Sequence, residues 1–208
     1  MCEAYWYPVY AFARRTLGSV EDAEDATQGF FANLLEKPNL SNANPQRGLF
    51  RAYLLGAFKH FVQHERDKRN AQKRGGCHRH ISIDMQNAET RFRLEPPDNL
   101  TPESLYDKTW ALATINRVIK ALRMEYEQNG KLRIFDTLMS YILQDEPNPV
   151  SYAEIARKLN MSTGTVRVNR HRLKEQFGRT LNVEIAGTVS NPSEIAEEIA
   201  ALKRALAG

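Results

Sequence analysis

Residues 151–178 read SYAEIARKLNMSTGTVRVNRHRLKEQFG, and this stretch predicts two helices joined by a tight turn. Ser151 with Glu154 forms a capping box at the first helix start. Ile155, Ala156 and Leu159 then give that helix one apolar face, and small Ala156 lets a second helix cross closely. Asn160-Met161-Ser162 makes the turn, with Ser162 or Thr163 placed to cap the next helix. In that helix Val166, Leu173 and Phe177 fall on one side at helical spacing, while Arg167, His171, Arg172 and Lys174 lie off the stripe. A helix packed on one side and cationic on the other suits the phosphates of a DNA groove. A solvated amphipathic hairpin would carry similar charges. The ordered box, small residue, turn and basic second helix favour DNA.

The other cations are also clustered. Net charge is only +4 over 208 residues. Yet residues 59–79 hold seven Lys/Arg against two acids, and residues 157–179 hold seven against one. Two separated basic blocks imply two places to grip a polyanion. Acids gather elsewhere, at Glu21, Asp22, Glu24 and Asp25, and at Glu194, Glu197 and Glu198. A composition of 42% hydrophobic and 26% charged residues is that of a globular protein with a real core. Cys2 and Cys77 stand far apart in a chain with no signal peptide, so the expectation is a soluble, cytoplasmic protein without disulfides. No apolar run reaches the length of a membrane span.

Outward from 151–178, helix caps recur and strand signals are almost absent. Apolar stripes and caps predict helices over 3–17, 20–36 and 50–73, with Gly18 ending the first and Ser19 capping the second. Residues 75–100 lack periodicity and contain Pro96-Pro97, reading as a polar linker with a short ordered piece at Ile81-Ser82-Ile83-Asp84. Thr101-Pro102 starts a long helix that ends at Asn129-Gly130. Another follows over 132–142, and Asn191-Pro192 opens a last one. The expected fold is all-α, two small helical bundles joined by the linker. Its parts are a first domain over 1–74, a linker over 75–100, a second domain over 101–186 and a C-terminal helical extension over 187–208. That last helix reads either as a regulatory element or as a cap on the second bundle, the cap being favoured.

With this layout, the chain resembles the bacterial extracytoplasmic-function sigma factors, the smallest class of RNA polymerase sigma subunit. Ala23-Glu24-Asp25-Ala26-Thr27-Gln28-Gly29-Phe30-Phe31-Ala32-Asn33-Leu34-Leu35 looks like the acidic, Gln- and Phe-containing helix of the family's first domain. Residues 50–74 are similar to its segment that melts the downstream (−10) promoter element, and 151–178 to the helix-turn-helix that reads the upstream (−35) element.

The resemblance implies a transcription initiation factor that binds core RNA polymerase and promoter DNA and does no covalent chemistry. It implies that Asp25, Gln28, Phe31 and Leu34 dock on the polymerase. Lys59, His60, Arg66, Lys68 and Arg69 would hold the opening strand, where cations and stacking side chains are needed. Ser162, Thr163, Thr165, Arg167, Arg170, His171 and Arg172 would meet the duplex, arginine being able to read guanine bidentately. An anti-sigma partner is common in the family. Within the matching segments Gly29 stands for an acid, Lys59-His60 for Arg-Asn, and Asn169-Arg170 for an apolar position, and the tail beyond Leu181 exceeds the minimal family pattern.

The competing reading is a helix-turn-helix repressor or activator with an N-terminal interaction domain, though its single DNA reader would not need the basic helix at 59–74. An enzyme is disfavoured by the lack of a phosphate-binding glycine loop, a nucleophile motif or a clustered ligand set. No cofactor is expected. Cys77, His78 and His80 lack a fourth ligand at usual spacing, so no metal is expected either.

Overall fold

The computed structural model describes residues 2–36, 49–71, 86–94, 100–143, 151–189 and 191–207. Every regular element among them is helical, making the fold all-α as expected. The chain divides into two compact units, Met1–Ala113 with Ile185–Gly208, and Thr114–Glu184. No described helix is long and apolar enough to cross a membrane.

In the first unit, α1 (Cys2–Leu17) is the central element. Tyr7 and Val9 through Ala13 are all buried, leaving this stretch of helix no solvent face. A helix apolar all round must be surrounded. Gly18 ends it at φ +79°, its amide on the Arg14 carbonyl at 3.2 Å. Ser19 then caps α2 (Val20–Glu36) through the Asp22 amide at 3.2 Å. The third wall is α3 (Phe50–Ala71). Aromatic rings join the three helices, with centroids 6.0 Å apart for Phe12–Phe58, 5.3 Å for Phe30–Phe58 and 5.3 Å for Tyr5–Phe50. Burying a ring of this size contributes roughly 2–3 kcal/mol.

Within the stretch expected as linker lies a packed helix, α4 (Gln86–Leu94). Glu89 accepts from Tyr10 at 2.8 Å and from Arg14 Nε at 3.1 Å, and Ala88 is fully buried. Arg91 sits 3.7 Å from the centre of the Tyr7 ring. The sequence shows no apolar stripe here because polar side chains do the packing. The short piece at 81–84, the candidate metal residues 77, 78 and 80, and the proline loops at 37–48 and 144–150 lie outside the described residues.

The expected domain limits also shift. α5 (Pro102–Gln128), capped by Thr101 through the Ser104 amide at 3.1 Å, contributes its first turns to the first unit. There Tyr106 and Trp110 are buried, Tyr106 donates to the Arg51 carbonyl at 3.1 Å, and the Arg51 guanidinium lies 4.6 Å from the Trp110 ring centre. The C-terminal helix α9 (Ile195–Ala207), preceded by a 3-10 turn at Pro192–Glu194, likewise belongs to the first unit rather than capping the second. Its Leu202 is buried, and Glu198, only 1% exposed, pairs with Arg51 at 3.3 Å. Arg51 also pairs with Asp107. An amphipathic pattern shows that a helix needs a partner, but not which bundle receives it.

The second unit contains the rest of α5, α6 (Leu132–Leu143), α7 (Tyr152–Leu159) and most of α8 (Thr163–Ala186). α5 closes at Gly130, φ +67°, with Gly130 N–H on the Glu127 carbonyl (3.0 Å) and Lys131 N–H on that of Tyr126 (2.8 Å). This paired closure requires a left-handed residue, which glycine supplies without a Cβ clash. Val118, Leu122, Phe135, Leu138, Met139, Val166 and Leu173 form the core.

Candidate nucleic-acid interface

The strongest candidate site is built on α7 and α8. Ser151 Oγ accepts the Ala153 amide at 3.1 Å and starts α7. Asn160 ends it in the left-handed conformation, φ 54° and ψ 50°. Its amide bonds the Arg157 carbonyl (3.2 Å), and the Met161 amide bonds that of Ala156 (2.9 Å), the same closure as at Gly130. Ser162 then caps α8, its Oγ accepting the Thr165 amide at 3.1 Å. The turn is therefore set at both ends by specific side chains. Ile155, Ala156, Leu159, Val166 and Leu173 are buried beneath it, and Phe177 is half-buried.

The seven residues expected to meet duplex DNA fall into three groups. Thr163, Arg167, His171 and Arg172 are exposed, and Lys174 joins them. His171 is 75% exposed, with Glu175 at 3.5 Å. Ser162 and Thr165 are exposed too, but their hydroxyls bond each other at 2.9 Å within the cap. Arg170 departs from the expectation. Four positions after Val166, it lies on the shoulder of the buried stripe, half-buried, and donates to the Tyr152 hydroxyl at 3.0 Å. It ties α8 to the start of α7. Arg167 also lies 5.2 Å from the Tyr152 ring centre, so Tyr152 helps hold an exposed cation, a role its place in the capping sequence did not suggest. Neighbouring Asn169 is half-buried, its amide on the Thr165 carbonyl at 3.1 Å and 3.9 Å from the Met161 sulfur. That bond satisfies the polar group standing at an apolar position.

In the first unit the candidates on α2 and α3 separate more sharply. Phe31 is 2% exposed, with its ring 5.4 Å from that of Phe30. It is a core residue and offers no anchor to a partner. Asp25 is exposed, whereas Gln28 and Leu34 are half-buried; Leu35 is the exposed apolar residue of this helix, at 59%. On α3, Lys59 pairs with Glu103 at 2.6 Å and lies 5.3 Å from the Phe12 ring centre. That hydrogen bond, more than any other cause, holds the Glu103 carboxyl below its ordinary range. Lys68 pairs with Glu65 at 3.0 Å. His60 and Arg66 are exposed, and Arg69 lies in α3 with its side chain outside the described residues.

A cleft of about 170 Å³ brings Arg66 together with Asp25, Asp22 and Glu65 over Leu17, Phe61 and Val62. Residues expected to meet polymerase and DNA thus share one surface. Gly29, the position that departs from the family pattern, lies under Phe61. A Cβ there would stand 3.2 Å from the ring edge. Among the described residues no group of His, Cys, Asp and Glu is arranged to hold a metal. No protein-family model, curated protein or solved structure matches the chain.

Proposed function

We propose that the protein is a sigma-type initiation factor, which binds core RNA polymerase and directs it to promoters in a bacterial cytoplasm. The observation that carries the reading is the doubly capped turn between α7 and α8, with Thr163, Arg167, His171, Arg172 and Lys174 exposed beyond it. α8 supplies groove contacts to the upstream element, with hydroxyls and cations at its N-terminal half as phosphate ligands. Arg66, His60 and Arg69 serve the opened strand. Asp25 and Leu35 on α2, with Gln28 and Leu34, serve polymerase docking. Phe31 has its part in the core.

A second reading, a helix-turn-helix repressor or activator, gains from one observation. Two cations of α3 are neutralised by pairing, Lys59 by Glu103 and Lys68 by Glu65. Core polymerase separates the two. The sigma reading expects co-elution of the full chain with bacterial core polymerase in the absence of DNA, and new transcripts from a genomic fragment library. A repressor binds duplex alone and does not co-elute, and that result overturns the sigma reading. Arg66→Ala with Arg69→Ala is expected to reduce permanganate reactivity of melted thymines more than it reduces polymerase binding. Equal loss of both counts against the assignment to the opened strand.

A further inference from the structure

On the flank of α8 away from Arg167 and Lys174, a cleft of about 370 Å³ opens towards the end of α5. Such a volume falls within the small-ligand range of roughly 300–1,000 Å³. Asn169, Arg172, Gln176 and Arg179 face it from α8, spaced by three, four and three residues so that they form one stripe. Glu125, Tyr126, Asn129 and Lys131 face it from the other side.

The uncharged polar groups of this cleft satisfy one another. The Tyr126 hydroxyl donates to Gln176 Oε1 at 2.7 Å, and Gln176 Nε2 donates to Glu125 Oε1 at 3.3 Å. The Asn129 side chain donates to the Glu125 carbonyl at 2.8 Å. The carbonyls of Glu125, Glu127 and Tyr126 near the end of α5 are taken by the amides of Asn129, Gly130 and Lys131, so these three do not require a lysine or arginine. What remains are three cations, Lys131, Arg172 and Arg179. All are exposed, and among the described residues no carboxylate lies within ion-pair distance of them. Glu125, the sole acid of the lining, is held by Gln176. Three cations converging on a concavity with one occupied carboxylate form a site for a compact polyanion.

We propose that this cleft binds a phosphate group through Lys131, Arg172 and Arg179. The phosphate comes either from a nucleic-acid backbone or from a free phosphorylated molecule. The site stands on the geometry of α5 and α8 alone, and a failure to bind polymerase leaves it untouched. It adds Lys131 and Arg179 to the residues expected from sequence and places Arg172, expected there only to meet duplex DNA, on a phosphate.

Inorganic pyrophosphate is the first probe, followed by calorimetry and by the side-chain Nε resonances of Arg172 and Arg179. Saturable binding is expected, weakened about tenfold for each arginine replaced in Arg172→Gln and Arg179→Gln. Equal melting temperatures of the variants and the wild type exclude misfolding as the cause. In the second arm, duplex DNA is titrated over a salt series. A backbone source lowers the salt slope by about one for each cation removed. A free-phosphate source leaves that slope unchanged while pyrophosphate binding is lost. If the wild type binds no duplex, the pyrophosphate arm decides alone. No saturable pyrophosphate shift, together with an unchanged duplex salt slope or no duplex binding, overturns the proposal.

Discussion

At the scale of single residues, the most consequential side chain is Arg51, which no motif or periodicity in the sequence singles out. It stands in the first turn of α3 and reaches carboxylates on two other helices, Asp107 and Glu198, while covering Trp110. Burial pushes the Glu198 carboxyl above its ordinary value of 4.5, and Arg51 only partly offsets it. A raised folded-state pKa means that the folded chain binds this proton more tightly than the unfolded one. Its contribution to stability is full below the unfolded value and is lost as pH rises through the folded value. Glu24 acts in the same direction, first through burial and then through Asp25. Glu89 has the opposite sign. Burial works upward on it, but hydrogen bonds from Arg14, Tyr10 and Arg93 hold it below the ordinary range, so its contribution is lost on acidification. Urea midpoints measured upward from pH 4.5 should therefore fall less steeply in Glu198→Gln than in the wild type. An unchanged slope would mean that Glu198 is not the group titrating. Burial of this kind is not legible in a sequence, where Glu198 reads as one acid among several near the chain's end.

At the scale of elements, legibility followed chemistry. α2 was readable to its ends, because Ser19 and its acidic first turn supply local start signals. The α7–α8 turn was readable for the same reason, through Ser151, Asn160 and Ser162. α4 was not. Its contacts are made by Ala88, by Glu89 and by arginine side chains laid on tyrosine and against phenylalanine, which no apolar periodicity records. Phe31 shows the converse limit, since an aromatic on an amphipathic helix can serve core or interface, and only packing decides. Because α4 is held by polar contacts, one substitution should release it. Glu89→Ala removes the acceptor shared by Tyr10, Arg14 and Arg93. The Arg14 and Glu89 side chains are 20% and 15% exposed, so the loss should be about 2 kcal/mol, short of that for a fully buried pair. Amide exchange should accelerate across 86–94 first, with α2 retaining its protection. Uniform acceleration through α1, α2 and α4 would show that α4 is integral to the core rather than a strap upon it.

At the scale of the molecule, the chain's end returns to the unit in which it began. Ile185–Gly208 groups with Met1–Ala113, whereas the intervening Thr114–Glu184 forms its own unit. Both tryptophans, Trp6 and Trp110, belong to the first unit, so indole fluorescence reports on that unit alone, while far-ultraviolet dichroism reports on both. Removing residues 190–208 takes away Glu198 and Leu202 and leaves Arg51, above Trp110, with Asp107 as its remaining ion-pair partner of the two. Losing a buried leucine costs roughly 2–5 kcal/mol, and losing one side of a buried ion pair adds to it. The fluorescence transition should therefore move to lower urea, with a red shift of the native emission as Trp110 gains water. Amides of α6 and α7, whose core is Phe135, Leu138, Ile155 and Leu159, should keep their exchange protection. The α7–α8 surface should then bind duplex DNA as before, separating the stability of the first unit from the function proposed for the second. Equal loss of protection in α6 and α7 would instead make α9 a support of the whole chain, and the two units a single cooperative fold.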